Sequence, residues 1–256
     1  MSLAVAHMAL GAWPEGALVP YLAPSEQARF SSLSNTRRRH EYAGARVLAK
    51  YLFLNRSRDA MTMVDVRPED ITLFSTSTFR EIEVARGDGP PQLIWRDAPQ
   101  RNIHLSLAHG SGYVAAAISA QGPVGLDVMD IAVRAPSFYR KQFSPREQAW
   151  ANDDASYALL WALKESVVKT GAVPDATLWG FDEIEILVEQ SAGDVARHHS
   201  HTLLPLTVRV PRAVRAIADA GFARVRNLLL SFVTLETVRD AAGISGGVNA
   251  WQHRHE

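Results

Sequence analysis

The stretch GPVGLDVMDI, Gly122 to Ile131, decides how the chain is read. It has the apolar content of a buried strand, bounded by a Gly-Pro turn. Alternate residues of a strand share a face, so Gly125, Asp127 and Met129 point one way and Val124, Leu126 and Val128 the other, toward a core. Asp127 then stands in an apolar strand, where an ionised carboxylate without a partner is expensive. Gly125 on the same face lets another backbone or a ligand approach closely. Either Asp127 pairs with an arginine or caps a neighbouring helix, or it belongs to a site.

Outward from that strand, the chain alternates helices and strands. Leu3 to Leu10 reads as a first strand. Ser25 to Asn55 reads as helical with a turn near Leu33-Ser34-Asn35, and Val47, Leu48, Tyr51 and Leu54 recur at helical spacing. Asp70 to Phe79 and Glu81 to Val84 read as strands before the breaker Gly87-Asp88-Gly89-Pro90-Pro91. His104 to Leu107 and Tyr113 to Ser119 are strands hinged at Gly110-Ser111-Gly112. Ser144-Pro145-Arg146-Glu147 opens a helix, and Ser156 to Lys169 is another, stopped by Gly171 and Pro174. Glu183 to Val188, Thr202 to Val210 and Leu228 to Leu235 read as strands. The order of helix, strands and turn occurs twice, with a seam near Gln121. This gives an α+β chain of two lobes, 1–121 and 122–256, each a helix on a mostly antiparallel sheet.

Composition narrows the function classes. The 256 residues are 47% hydrophobic and 21% charged, ordinary for a globular protein. Basic and acidic residues balance at 27 each, so no global field favours nucleic acid or a membrane surface. An anionic ligand must be held by local basic clusters. There is no cysteine, which excludes disulfides, thiolate metal sites and a cysteine nucleophile. No apolar run reaches the roughly 18 to 20 residues of a membrane span. The apolar start MSLAVAHMALGAW has no basic n-region, and a cytoplasmic location is expected. No Walker loop, GxGxxG fingerprint or GxSxG elbow is present.

A second carboxylate lies in WALKESVVK, where Trp161, Glu165 and Lys169 fall on one helical stripe. Such spacing ordinarily means a surface ion pair, yet Trp161 marks the stripe as partly buried. Two acids from separate elements in a semi-apolar cleft suit Mg²⁺, which takes one or two carboxylates plus water and substrate phosphates. Glu147 is a third acid, also explained as the closing residue of a capping box. Arg37, Arg38 and Arg39 precede a helix carrying Arg46 and Lys50, either a solvated face or a phosphate clamp. His109 is a structural histidine, a general base or a phosphate donor. His198, His199 and His201 read as exposed loop residues rather than a metal tract.

Together these blocks resemble the phosphopantetheinyl transferase family, in its two-lobed, surfactin-synthetase-activating type. LSLAHGSGYVAAAIS (Leu105 to Ser119) resembles the family's SxSH block and the strand after it. GPVGLDVMD resembles its GxD block, and FSPRE with WALKESVVK its F-x-x-x-E and W-x-x-K-E-x-x-x-K blocks. RRRHEYAGAR before the first long helix agrees in general character. The resemblance implies two pseudo-twofold-related lobes with the site between them. It implies Mg²⁺-dependent transfer of 4′-phosphopantetheine from coenzyme A to a serine of an acyl, peptidyl or aryl carrier protein, releasing adenosine 3′,5′-bisphosphate, with Mn²⁺ as an alternative metal. By the same match, Asp127 and Glu165 hold the metal, Glu165 takes the serine proton, and Lys169 contacts phosphate or the leaving oxygen beside Lys164. His109, Arg46, Arg38 and Arg39 match coenzyme A contacts.

The chain departs from the pattern in three places. Met129 stands where many members carry a second metal acid, and alternation turns Asp130 to the opposite face. Gly89-Pro90-Pro91 replaces a Gly-Lys-Pro block, and Ala108 replaces a serine. These departures keep open a non-catalytic homologue that binds carrier protein or coenzyme A. An unrelated metal-dependent phosphohydrolase is the third reading. A chain with its own cleft is expected to be a monomer.

Overall fold

The computed structural model describes residues 3–14, 16–55, 62–85, 89–132, 134–171, 181, 184–193, 204–210 and 216–236. The first half of the chain runs β1 (Ala4–Ala9), α1 (Pro24–Ser32), α2 (Thr36–Leu54), β2 (Thr62–Asp65), α3 (Pro68–Thr72), α4 (Thr76–Arg80), β3 (Ile82–Ala85), β4 (Gln92–Trp95), β5 (Ala98–Pro99), β6 (His104–Gly110) and β7 (Tyr113–Ser119). Four of these strands form a sheet in the order β2-β1-β7-β6, antiparallel except for the β1–β2 pair. Asn35 caps α2 by accepting a hydrogen bond from the Arg38 amide at 2.9 Å. The helix lies on β1 and β7, burying Ala43, Val47, Leu48 and Tyr51.

The second half runs β8 (Val124–Asp130), α5 (Pro136–Gln142), α6 (Pro145–Trp150), α7 (Asp154–Thr170), β9 (Leu187–Val188), β10 (Leu204–Leu206), β11 (Val208–Arg209), β12 (Ile217–Val225) and β13 (Leu228–Leu235). Its main sheet is antiparallel in the order β10-β12-β13-β8. Asp153 caps α7, and Gly171 ends it in the left-handed region at φ 72°, where a side chain would be strained. The helix lies on β8 and β13. Both halves therefore share one connectivity. A strand leads through a long helix to a hairpin, β6–β7 or β12–β13, whose second strand pairs with the first strand.

The halves also share an anchor. On α1, Glu26 accepts from the Ala23 amide at 2.7 Å, from the Val84 amide of β3 at 2.8 Å, and from Lys50 of α2. On α6, Glu147 accepts from the Ser144 amide at 2.7 Å, the Ile186 amide at 2.8 Å, and Lys164 of α7 at 2.9 Å. Gln27 and Gln148, each next in sequence, donate to the carbonyls of Leu22 and Phe143. Each buried charge pair thus ties a short helix, a long helix and an extended segment together. Burial outweighs Glu26 at Lys50 and lowers its pKa. Breaking such a pair would strand a charge in the interior.

Core residues form one cluster under α2 and one under α7, with a third between the sheets. In the third, Val5, Ala108, Ala115 and Ala117 meet Val124, Leu126, Val128 and Phe232. The Leu126 amide donates to Oγ of Ser106 at 3.0 Å, joining β8 to β6. The halves thus bury apolar surface against each other, about 1.5–3 kcal/mol for each fully enclosed valine or leucine. Among the described residues no helix is long and apolar enough to cross a membrane.

The α+β assignment and the expected mostly antiparallel sheets agree with these elements. One expected strand is wrong. Asp70 to Phe79 is occupied by α3 and α4, because Asp70 closes on the Arg67 amide at 2.9 Å and Ser75 caps the Thr78 amide at 3.2 Å. These local caps outweigh the β preference of Ile71, Thr72, Leu73 and Phe74. Of the expected strand Thr202 to Val210, the described residues 204–210 form β10 and β11, and of Glu183 to Val188 only Leu187–Val188 is strand among the described residues, while β2, β4, β5, β12 and α5 were not anticipated. His198, His199 and His201 lie outside the described residues.

Candidate functional site

Gly125 sets the geometry. A Cβ there would stand 1.8 Å from the Ser166 carbonyl oxygen and 2.7 Å from its carbon, so α7 rests on β8 with no room for a side chain. The close approach foreseen at this glycine is therefore made by a helix backbone. Ser166 adds a hydroxyl contact to Ser231 of β13 at 2.9 Å, which fixes the helix along its axis. Asp127, two residues past Gly125 on the same strand face, meets Lys169 of α7. Lys169 donates to Oδ1 of Asp127 at 2.7 Å and to the Leu126 carbonyl at 2.9 Å. Glu165 lies one helical turn earlier on the same stripe. Strand alternation and helical spacing thus place Asp127 against Lys169, with Glu165 near enough to feel the charge of both.

The charges do not balance. Burial pushes the Asp127 carboxyl above the ordinary carboxylate range, against Lys169, a backbone hydrogen bond at Val128 and His109. Burial also pushes Glu165 up, with the negative charge of Asp127 adding to it and Lys169 opposing. Lys169 thus acts on both carboxylates, and the charge on Asp127 raises the cost of ionising Glu165. That donor set fits a divalent cation of the Mg²⁺ kind, which takes one or two carboxylates and completes its shell with water and phosphate oxygens. Among the described residues no group of three metal-ligating side chains converges.

The neighbouring residues explain why no third acid joins. Met129 packs with the apolar cluster under α7. Asp130 turns to the opposite face, as alternation requires, and accepts a hydrogen bond from Ser111 in the β6–β7 turn.

A cleft of about 270 Å³ adjoins Lys169, lined by Arg46, Gly89, Pro90, Pro91, Ser106 and Thr170 among others. Arg46 projects from α2, its guanidinium 3.5 Å from the centroid of the Tyr42 ring, and donates to the Tyr42 carbonyl at 3.4 Å. Two cations from different halves, Arg46 and Lys169, thus face one space, and Pro90 and Pro91 occupy its wall without adding charge. His109 stands at the end of β6 with Nδ1 3.5 Å from Oε2 of Glu41.

Three expected cofactor contacts are less integrated. Arg38 is exposed on the first turns of α2. Arg39 is half-buried, donating to Thr36 at 3.2 Å with its guanidinium near the Phe30 ring. Lys164 departs from expectation altogether. Its side chain is fully buried, and its ammonium donates to the carbonyls of Gln142 and Phe181 at 2.9 and 2.8 Å and pairs with Glu147. The pair with Glu147 fastens α6 to α7 and turns Lys164 from the cleft to the interior. Glu147 is likewise a cap and anchor rather than a site acid. Glu41 was missed; its only sequence signal is the i, i+4 spacing from Arg37, which ordinarily marks a surface pair.

The sequence pattern described as the 4′-phosphopantetheinyl transferase superfamily matches residues 123–209, the segment that carries Asp127, Glu165 and Lys169. No curated protein matches the chain. Among solved structures, the crystal structure of Thermotoga maritima holo-[acyl-carrier-protein] synthase is similar at 20% identity, over 56% of this chain and 74% of that one, with a TM-score of 0.31. That score is too low to carry geometry from one chain to the other.

Proposed function

We propose that this chain, whose residues 123–209 match the pattern of the 4′-phosphopantetheinyl transferase superfamily, transfers 4′-phosphopantetheine from coenzyme A to a serine hydroxyl of an acyl or peptidyl carrier protein. The observation that carries the reading is the 2.7 Å contact of Lys169 with Asp127 where α7 crosses β8 beside the cleft, with Glu165 near enough to feel the charge of both. Asp127 and Glu165 would hold Mg²⁺, with Mn²⁺ as an alternative. When bound, the metal supplies charge neutralisation at the diphosphate. Arg46 pairs with a phosphate of coenzyme A, for which its planar fork is suited. Lys169 donates to a phosphate oxygen and neutralises charge as the bridging oxygen departs.

The serine oxygen forms the new bond to the pantetheinyl phosphorus, and the bond from that phosphorus to the bridging oxygen breaks. The serine proton passes to Glu165, which stands one helical turn from Lys169 beside the site. Adenosine 3′,5′-bisphosphate leaves. The rest of catalysis is positioning, as in other phosphoryl transfers. The two halves act as lobes meeting near Gln121, with Arg46 of one and Lys169 of the other lining the cleft, and the proposed working unit is a cytoplasmic monomer.

One observation favours a second reading, a carrier- or coenzyme A-binding protein that does not transfer. Met129 packs against apolar residues where a further acid would strengthen a metal site. The same experiment separates the two. The protein is incubated with coenzyme A, Mg²⁺ and apo acyl or peptidyl carriers, and the carriers are weighed. Gain of one phosphopantetheinyl group supports transfer. Binding of a carrier with no mass gain would leave the second reading.

A further inference from the structure

His109 stands at the end of β6 with its side chain 61% exposed. An imidazole so placed would sample several rotamers and both neutral tautomers. One contact restricts it: Nδ1 lies 3.5 Å from Oε2 of Glu41. Glu41 is a different kind of group. Its carboxylate side chain is only 7% exposed, and its Oε1 accepts from Nε of Arg37 at 2.8 Å. A carboxylate so enclosed requires partners. Arg37 holds one oxygen, leaving the other directed at the imidazole. The packed acid therefore orients the exposed ring, and not the reverse. The charged groups around the imidazole are Arg37 and Glu41 from α2 and Asp127 from β8, with Asp130 of β8 acting on Arg37.

We propose that Glu41 is the positioning residue for His109: its carboxylate takes the Nδ1 proton in a hydrogen bond, so that Nε2–H is the donor presented to a phosphate of the nucleotide end of coenzyme A. This deepens the coenzyme A reading and rests on it. With a phosphate on one side and Glu41 on the other, each ring nitrogen faces its own acceptor. Glu41 touches no reacting atom.

The test uses the whole chain labelled with ¹⁵N-histidine and adenosine 3′,5′-bisphosphate as the probe. The His109 signal is identified by its loss in His109→Gln. In the wild type with nucleotide, Nδ1 of His109 is expected to read as a hydrogen-bonded N–H. In Glu41→Gln that signature is lost, and the nucleotide binds about tenfold more weakly, the loss of a charge-assisted hydrogen bond. In the His109→Gln background, Glu41→Gln adds no further loss. Should Glu41→Gln not fold, Glu41→Asp, which keeps the charge but withdraws it, serves instead and weakens binding about threefold. An Nδ1 of His109 that carries no hydrogen-bonded proton in the wild-type complex would overturn the proposal, as would nucleotide that does not bind, or a loss from Glu41→Gln that is the same with and without His109. If the nucleotide result holds while no carrier is modified, the transfer reading fails and the role of Glu41 stands.

Discussion

Replacing Gly125 with alanine perturbs the contact that sets the site. The added Cβ would begin 1.8 Å from the Ser166 carbonyl oxygen and must retreat beyond 3.0 Å, so α7 must lift from β8 by more than about 1.2 Å. The neighbouring atom is helix backbone, which cannot rotate aside as a side chain would. Overpacking ordinarily costs about 1–3 kcal/mol, and a clash with backbone belongs at or above the top of that range. The Lys169–Asp127 contact, now 2.7 Å, opens to about 4 Å and ceases to be a hydrogen bond. The expected total is about 3–4 kcal/mol, or a melting temperature lower by about 10 °C for a chain of this size. Urea unfolding followed by circular dichroism reads the stability, with Gly11→Ala as the control, because nothing lies within 4 Å of a Cβ at Gly11. A Gly125→Ala protein within about 0.5 kcal/mol of wild type would refute the packing of α7 on β8 as described.

Other perturbations separate site from scaffold. Lys164→Met should cost about 3–5 kcal/mol by leaving the Glu147 carboxylate buried without its cation, and adding Glu147→Gln should recover part of that in the same unfolding assay. Lys169→Met should lower transfer by about 10²–10³-fold with little change in fold, read by steady-state kinetics; loss of less than about tenfold would remove it from the charge-neutralising role. Glu165→Gln tests the uncompensated carboxylates. The folded-state pKa of Glu165 is raised, so wild-type stability without metal falls as pH climbs through and above the ordinary carboxylate range. The variant escapes that loss, so it should melt higher than wild type at pH 8 without metal, match it near pH 4, and lose the Mg²⁺-dependent rise in melting temperature. Equal melting temperatures at both pH values would contradict the proposed charge imbalance.

The strand of Asp127 and the stripe of Glu165 and Lys169 were legible because both follow from fixed periodicities, two residues for a strand and about four for a helix face. The same alternation correctly turned Asp130 away. Asp70 to Phe79 was not legible as helix, because its outcome rests on two capping contacts rather than on any apolar period. Lys164 was misread because it adjoins Glu165 in sequence while standing on a different helix face, and the three acceptors that enclose it come from distant segments. The duplicated anchor is faintly visible as Pro-Ser-Glu-Gln and Pro-Arg-Glu-Gln, Pro24 to Gln27 and Pro145 to Gln148. Its lysine partners lie too far along the chain for spacing to find them. Glu41 was hidden in the same way, since its histidine partner arrives from β6, far along the chain from α2.

The most direct test of the proposed function is the intact mass of an apo carrier protein after incubation with this chain, coenzyme A and Mg²⁺. The account predicts one added phosphopantetheinyl group with the wild type. It predicts none when a chelator removes the metal, and none with Asp127→Ala or Glu165→Ala proteins that remain folded. No mass gain across acyl and peptidyl carriers with the wild type, or near-normal transfer by either alanine variant, would contradict it.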